Sequence, residues 1–224
     1  MNTRRKFLLG GMKVLASMGL LLCSFPAAAS GLWAKTKRII LPKGTTRESL
    51  IHRNPAELDT RNLEITPLND FGTMGPTDLG IDLNTWRLEV TGEVVRPLRL
   101  AYGQILRLPS VERKVLLICP GVFANHGNWK GISMMTLLRM AGIKDGITHV
   151  EVRGTTAPYE KVVRYPFEHI LSDKVLLAYG VNGKALPRKH GFPLRVVAED
   201  YFGYDWVKYV YKVTVLKNHP DRRL

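Results

Sequence analysis

Apolar and polar positions alternate most clearly in the second half of the chain. Trp86-Arg87-Leu88-Glu89-Val90-Thr91-Gly92 has the period of two of a half-buried strand. Leu98-Arg99-Leu100 predicts another short strand, and residues 102–108 predict a helix stopped by Pro109. Val115-Leu116-Leu117-Ile118-Cys119 is apolar without a break, the mark of a buried strand, and it delivers its cysteine where Pro120-Gly121 turn the chain. Ser133 is placed to cap a helix over 134–140 that Gly142 closes. Residues 149–153 and 160–165 read as strands and 167–171 as a helical turn. Strands at 175–181 and 184–186 flank Asn182-Gly183, a two-residue hairpin turn whose positions both tolerate positive φ. Strands at 193–198 and 206–216 complete the set. Strands outnumber helices and do not alternate with long ones, so the predicted class is α+β with a mixed, mainly β core.

Before residue 83 this pattern dissolves. Residues 30–82 are irregular, with Pro42, Pro55, Pro67 and Pro76 and glycines at 44, 72, 75 and 80. So long an irregular stretch in a compact chain is a wrapping arm or a functional loop. It is read as an arm that crosses the domain of residues 83–217 and brings Asn69-Asp70-Phe71-Gly72 to a site. Residues 218–224 form a basic tail. The first 29 residues carry Arg4-Arg5, an apolar run over 14–25, and Ala27-Ala28-Ala29 as a small-residue cleavage site. The run is short for a membrane span, which needs roughly 20 apolar residues. This segment resembles a twin-arginine export signal, which implies a periplasmic protein. An ordinary secretory signal or an uncleaved anchor is the alternative.

With 224 residues, 45% of them hydrophobic, the chain suits one compact domain plus an export segment. The formal charge is +14, and Arg4, Arg5, Lys6 and Lys13 account for four of it, leaving 29 basic against 19 acidic residues, or +10. That excess is either solvated surface or a match to an anionic ligand or partner. No basic-aromatic motif accompanies it, so nucleic acid is not an expected partner. Only Cys23 and Cys119 occur, and Cys23 would leave with the signal. One remaining thiol forms no intramolecular disulfide. Tetrahedral zinc or an iron–sulfur cluster would need ligands the chain lacks. His126 lies seven residues on, and a Cys–His pair suits blue copper or a nucleophile, though blue copper needs a second histidine. A buried structural thiol, a metal ligand and a nucleophile all stay open on the residues alone.

Three stretches recur in a telling order. Trp86 to Val94 is followed by Pro97-Leu98 and a leucine-rich helix ending in Leu108-Pro109. The strand into Cys119 is followed by Trp129-x-Gly131 and a helix with Leu137-Leu138 and Ala141-Gly142. Last comes His190-Gly191-Phe192-Pro193-Leu194-Arg195-Val196-Val197, with Gly203 and Lys208 beyond. In this order, over about residues 68–216, the chain resembles the sulfite-oxidase-type molybdopterin-binding oxidoreductases. Asn69-Asp70-Phe71-Gly72, the export signal and the segment Tyr179 to Pro187 are similar to catalytic subunits of periplasmic protein-methionine-sulfoxide reductases. The resemblance implies that Cys119 bonds molybdenum beside the dithiolene sulfurs of a single, mononucleotide-free pterin. It implies pterin- and phosphate-contacting positions at His190 and Arg195, and phosphate contacts at Trp206, Val207 and Lys208. Asn69 and Asp70 approach the cofactor, and Gly154 lies at a strand end near it. A phosphate monoester suits the planar fork of an arginine. On pattern alone, Arg195 and Lys208 would read as surface charge, and Asn-Asp-Phe-Gly as turn chemistry.

Departures from the family matter as much. Sulfite oxidases typically follow their metal cysteine with an arginine-bearing stretch; here Pro120-Gly121-Val122-Phe123-Ala124-Asn125-His126 has none, which disfavours sulfite. The similar reductases carry an acid just after the cysteine, where this chain has Pro120-Gly121. Asn125, His126 and Asn128 are candidate polar groups near the metal, with His126 as a proton carrier or a solvent-facing loop histidine. The resemblance implies an exported molybdenum–pterin oxidoreductase performing two-electron oxygen-atom transfer, with reduction of a small-molecule or protein-bound S-oxide or N-oxide expected first. The chain has no Cys-x-x-Cys-His and no cluster ligands, so electrons come from outside, by analogy from a membrane haem partner. The alternatives are an oxidative, sulfite-dehydrogenase-like enzyme on the same cofactor, or an exported, non-catalytic binding module on the same fold.

Overall fold

A computed structural model of the chain describes residues 38–155 and 160–217. The expected export signal, the arm's first residues at 30–37 and the basic tail lie outside the described residues. In the arm, β1 (Ile39–Ile40) pairs in parallel with β2 (Leu58–Asp59). Then follow β3 (Leu88–Gly92), β4 (Leu98–Leu100), α1 (Tyr102–Ile105), β5 (Val111–Cys119), β6 (Phe123–Ser133) and α2 (Met134–Ala141). Next come β7 (Ile147–Gly154), β8 (Lys161–Pro166) and α3 (Phe167–Leu171). The last strands are β9 (Val175–Val181), β10 (Lys184–Ala185), β11 (Arg195–Ala198) and β12 (Val210–Lys217). One sheet runs β10-β9-β6-β5 with β11 paired to β9, and the other runs β4-β3-β12-β7-β8. The β12–β3 pair is parallel and the other pairs within these sheets are antiparallel. The mixed, mainly β core expected from the pattern is therefore present. Among the described residues no helix is long and apolar enough to cross a membrane.

The longest strand stands where the sequence pattern predicts none. β6 contains Asn125, His126, Gly127, Asn128 and Gly131, residues of low strand preference, so its composition hides it. Pairing on both edges overrides that preference. β5 runs beside it from Val111↔Gly131 to Cys119↔Phe123, and β9 takes its other edge from Trp129↔Val181 to Ser133↔Leu176. A Cβ at Gly131 would stand 2.1 Å from the Leu177 carbonyl oxygen, so only glycine permits this close approach. Where β9 leaves off, the arm takes over. Thr66 N–H donates to the His126 carbonyl at 2.8 Å, His126 N–H donates to Thr66 Oγ1 at 2.9 Å, and Asn182 Nδ2 donates to the Thr66 carbonyl at 2.9 Å.

Burial on both faces explains the unbroken apolar run into Cys119. Val115 and Leu117 point into the main core shared by the two sheets and α2. Leu116 and Ile118 point the other way, under the arm, against Leu41, Leu50, Leu58, Leu63 and Ala124. Other local signals behave as read. Ser133 Oγ accepts from Met135 N–H at 3.2 Å and Gly142 ends α2, while Asn182 and Gly183 take φ of 51° and 74° in the β9–β10 hairpin. Two boundaries shift most. The helix expected over 102–108 is the single turn of α1, and β12 begins only at Val210, because Tyr209 before it takes a left-handed φ of 54° that an extended strand does not have. Gly131→Ala is expected to lower stability by about 3 kcal/mol or more, in the range of large single-residue effects. Thermal or urea unfolding reads this directly; an unchanged midpoint would mean that β6 and β9 have room for a methyl group.

Candidate cofactor site

Cys119 ends β5 at a three-residue hairpin turn, held by Val122 N–H to the Cys119 carbonyl at 3.0 Å and by Gly121 N–H to the Ile51 carbonyl at 2.9 Å. Its side chain shares a strand face with Leu117 and Phe123, and all three line a cavity of about 400 Å³. That volume lies within the ordinary range for small-molecule sites. The arm forms another wall through Gly72, Thr73, Met74, Gly75 and Pro76. Asn125, on the cavity side of β6, clamps that wall by accepting from Gly72 N–H at 3.0 Å and donating to the Gly72 carbonyl at 2.9 Å. Met74 Sδ lies 3.8 Å from Cys119 Sγ. Burial raises the Cys119 thiol above its usual range.

β11 and the segment leading into β12 supply the third wall. Val196 N–H donates to the Val207 carbonyl at 2.7 Å and Val210 N–H to the Leu194 carbonyl at 2.9 Å, which sets Arg195, Trp206 and Lys208 side by side. Arg195 is 5% exposed, with its guanidinium 5.0 Å from the Trp129 ring and 5.4 Å from the Trp206 ring. It donates to the His190 carbonyl at 3.1 Å, and burial pulls its pKa down to about 10. Lys208 Nζ donates to Thr73 Oγ1 at 3.2 Å, to the Pro76 carbonyl at 2.7 Å and to the Lys189 carbonyl at 3.0 Å. Burial and then the nearby Arg195 pull it down to about 8. Among the described residues no carboxylate forms an ion pair with Arg195 or Lys208. A buried Arg195 and a half-buried Lys208 with no ion-paired acid are costly, so this wall favours an anionic ligand.

The structure sorts the expected site residues into two groups. Cys119, Arg195, Trp206 and Lys208 line the cavity together. His190 is 1% exposed behind it, its ring packed edge-on against Phe71 at 5.6 Å. Its Nε2 has no partner among the described residues, and burial, with Arg195, Lys189 and Lys208 around it, lowers its pKa to about 4. His190 is thus a neutral imidazole at physiological pH. Val207 is buried in the core and offers the site only its backbone.

Four more of the expected residues lie outside the cavity lining, though Gly154 ends β7 next to it as expected. His126 pairs across from Leu116 and therefore faces the arm, with Nδ1 3.2 Å from the Glu64 carbonyl, on the face opposite Cys119. A shift of one residue along a strand reverses the face, and Asn125 occupies the cavity side instead. His126 therefore lies outside the cavity lining. Asn69 and Asp70 are exposed in the 3-10 turn Leu68–Asp70, with Asp70 3.6 Å from Arg47, and it is the residues after them that reach the cavity. Gly154 meets the Lys208 backbone, its missing Cβ standing 2.1 Å from that carbonyl, and the next residue, Thr155, lines the cavity. Thr155 (φ 64°), Phe123, Met74 and Tyr204 carry no motif that marks them in the sequence. Trp129 belongs to a recognisable motif, but its place beneath Arg195 is visible only in the fold.

The donor set fits a molybdenum–pterin phosphate. A soft sulfur donor stands on one wall, and the buried Arg195 and half-buried Lys208, neither ion-paired to an acid among the described residues, stand on another, with apolar and aromatic side chains between them. Among the described residues no group of three or more His, Cys, Asp or Glu gathers to hold a metal ion by itself. A metal at Cys119 would take its remaining ligands from the pterin and from oxygen.

Comparisons agree with this chemistry. The oxidoreductase molybdopterin binding domain family matches residues 74–223. The protein-methionine-sulfoxide reductase catalytic subunit MsrP of Gluconobacter oxydans is 28% identical over 183 residues, 72% of this chain and 59% of its own. The oxidoreductase YuiH of Bacillus subtilis is 30% identical over 145 residues, 62% of this chain and 70% of its own. An NADH nitrate reductase of Lotus japonicus is 30% identical over 166 residues, 61% of this chain and 18% of its own. The sulfane dehydrogenase SoxCD of Paracoccus pantotrophus shares the fold, with a TM-score of 0.61 at 22% identity over 84% of this chain and 52% of that chain. The chain spans 59% of the MsrP relative and a smaller share of the nitrate reductase. With the family matching most of its length, the chain belongs to the oxidoreductase molybdopterin binding domain family.

Proposed function

We propose that this protein is an exported, periplasmic reductase of S-oxides or N-oxides, built on one mononucleotide-free pterin and molybdenum bonded to Cys119. Its export signal is the twin-arginine segment at 1–29, its catalytic domain spans 83–217, and its electrons come from a membrane haem partner. The observation that carries the reading is the pairing, across one cavity, of the Cys119 sulfur with the buried Arg195 and the half-buried Lys208, neither in an ion pair with an acid among the described residues. When bound, the molybdenum–pterin group supplies two-electron redox chemistry and oxygen-atom transfer.

The chain's own residues divide the remaining work. Cys119 gives up its proton to bind metal, which burial opposes in the free protein and a metal cation reverses. Arg195 and Lys208 hold the phosphate by charge-assisted hydrogen bonds, and Trp129 and Trp206 keep the guanidinium in place. Asn125 fixes the arm wall against the cavity. The neighbours of Cys119 are Met74, Leu117 and Phe123, apolar side chains that suit an uncharged oxide better than sulfite. The MsrP relative, a protein-methionine-sulfoxide reductase by name, supports the reductive direction.

Dye-linked assays of natively exported, molybdenum-loaded protein on sulfoxides, N-oxides and sulfite decide the reading. Reduction of an oxide is the expected result; loaded protein that only oxidises sulfite would overturn it, and near-absent molybdenum would support a binding module. Cys119→Ser is expected to stay folded and lose both molybdenum and activity, checked by metal analysis and circular dichroism. Arg195→Ala should weaken pterin retention about tenfold or more, the scale of a lost charge-assisted pair; unchanged pterin content after gel filtration would refute its phosphate role. Lys208 also predicts a pH dependence. Its pKa is about 8 in the folded, cofactor-free protein against 10.5 in an unfolded chain. Between those values the unfolded chain holds more protons, so the Lys208 contribution to stability rises with pH. The melting midpoint of cofactor-free wild type, relative to Lys208→Met, should climb from pH 8 to pH 10. Inorganic phosphate should flatten that climb by keeping the lysine charged.

A further inference from the structure

We infer that Met74 is an oxidation site which the enzyme itself repairs in cis, its sulfoxide being the first S-oxide presented to the centre at Cys119. The inference rests on the oxide-reductase reading above and goes beyond it by naming a substrate within the chain.

Among the described methionines, Met74 is the exposed one, at 54%, whereas Met134 is fully buried and Met135 and Met140 are partly buried on α2, away from the cavity. Exposure and an unhindered thioether make it the preferred target of peroxide. Its sulfur is also 3.8 Å from Cys119 Sγ, so whatever Cys119 holds has Met74 as a neighbour. The arm is anchored on both sides of this residue. Gly72 is clamped by Asn125, Thr73 Oγ1 donates to the Lys189 carbonyl at 3.0 Å, and the Pro76 carbonyl accepts from Lys208 Nζ at 2.7 Å and Tyr209 OH at 3.1 Å. Between these anchors a flexible, unbranched side chain is confined to the cavity wall. Confinement of this kind replaces a bimolecular encounter by an intramolecular one. Tyr204, 55% exposed in the same lining, adds apolar surface that a polar sulfoxide would disrupt. Oxidised Met74 would therefore obstruct the site until it is reduced.

The chemistry balances. Hydrogen peroxide transfers one oxygen to Sδ and leaves as water. Removal of that oxygen breaks the S–O bond, consumes two electrons and two protons, and releases water. The electrons come from the reduced molybdenum–pterin group, charged by dithionite-reduced benzyl viologen, and the protons come from solvent.

Loaded protein is treated with peroxide, freed of it with catalase, and mixed with reduced benzyl viologen. Peptide mass spectrometry then follows the Met74 adduct of about 16 Da, with free methionine sulfoxide assayed in parallel. Met74 is expected to oxidise ahead of Met135 and Met140. Its adduct should then disappear at a rate unchanged by a roughly tenfold dilution of the protein, as an intramolecular step requires. Oxidised Cys119→Ser should keep the adduct. A Met74 adduct that persists while free methionine sulfoxide is reduced overturns this inference alone. So does a rate that falls with dilution, or Met74 oxidising no faster than the α2 methionines. Failure to reduce either sulfoxide overturns the oxide-reductase reading and this inference with it.

Discussion

The pairing of β6 on both edges is the constraint from which the cavity follows. A buried strand cannot leave its N–H and C=O groups without partners. β5 satisfies one edge along its whole length, and β9 followed by the arm satisfies the other. The hairpin turn then places Cys119 at the open end of β5, opposite Phe123. The same strand presents Asn125 to Gly72, so the arm wall and the cysteine are positioned by one backbone. Covering Leu116 and Ile118 with the arm frees the opposite face of β5 to line the cavity.

Electrostatics at the far wall run against the interest of the cofactor-free fold. Arg195 is buried between two indoles and hydrogen-bonded to carbonyl oxygens, a neutral set of partners for a full charge. Lys208 adds a second cation held by three neutral oxygens, and burial, then the field of Arg195, Lys189 and Lys208, keeps His190 uncharged. Hydrogen bonds and ring faces recover part of the desolvation cost, and a dianionic phosphate would recover more. Binding sites commonly accept such local instability where the ligand removes it. Elsewhere the chain pairs its charges in the usual way, as with Glu151 between Arg153 and Arg164 on the β7–β8 face.

Much of the fold is legible in local pattern. The strand into Cys119, the Ser133 cap, the Asn182-Gly183 hairpin and the α3 turn each follow from a few adjacent residues, because capping, turn φ values and burial are local requirements. β6 is not legible. Its asparagines, histidine and glycines argue for a loop, and only partners drawn from 111–119 and 176–181 make it a strand. Without that strand the facing of His126 cannot be read, since its face depends on a register set by β5.

The sequence by itself determined the class of the fold, the single thiol at a strand end, and the presence of the segment that carries His190, Arg195 and Lys208. Tertiary structure alone decided which side chains meet. Arg195, Lys208 and Trp129 come from distant stretches, and no local rule reports that an arginine on a strand will lie between two indoles with no acid beside it. Nor does any local rule separate Asn125 from His126, whose opposite facing comes from the pairing of β6 with strands before and after it in the chain. Residue type carries chemical potential along the chain, whereas long-range register and burial determine where that potential is spent.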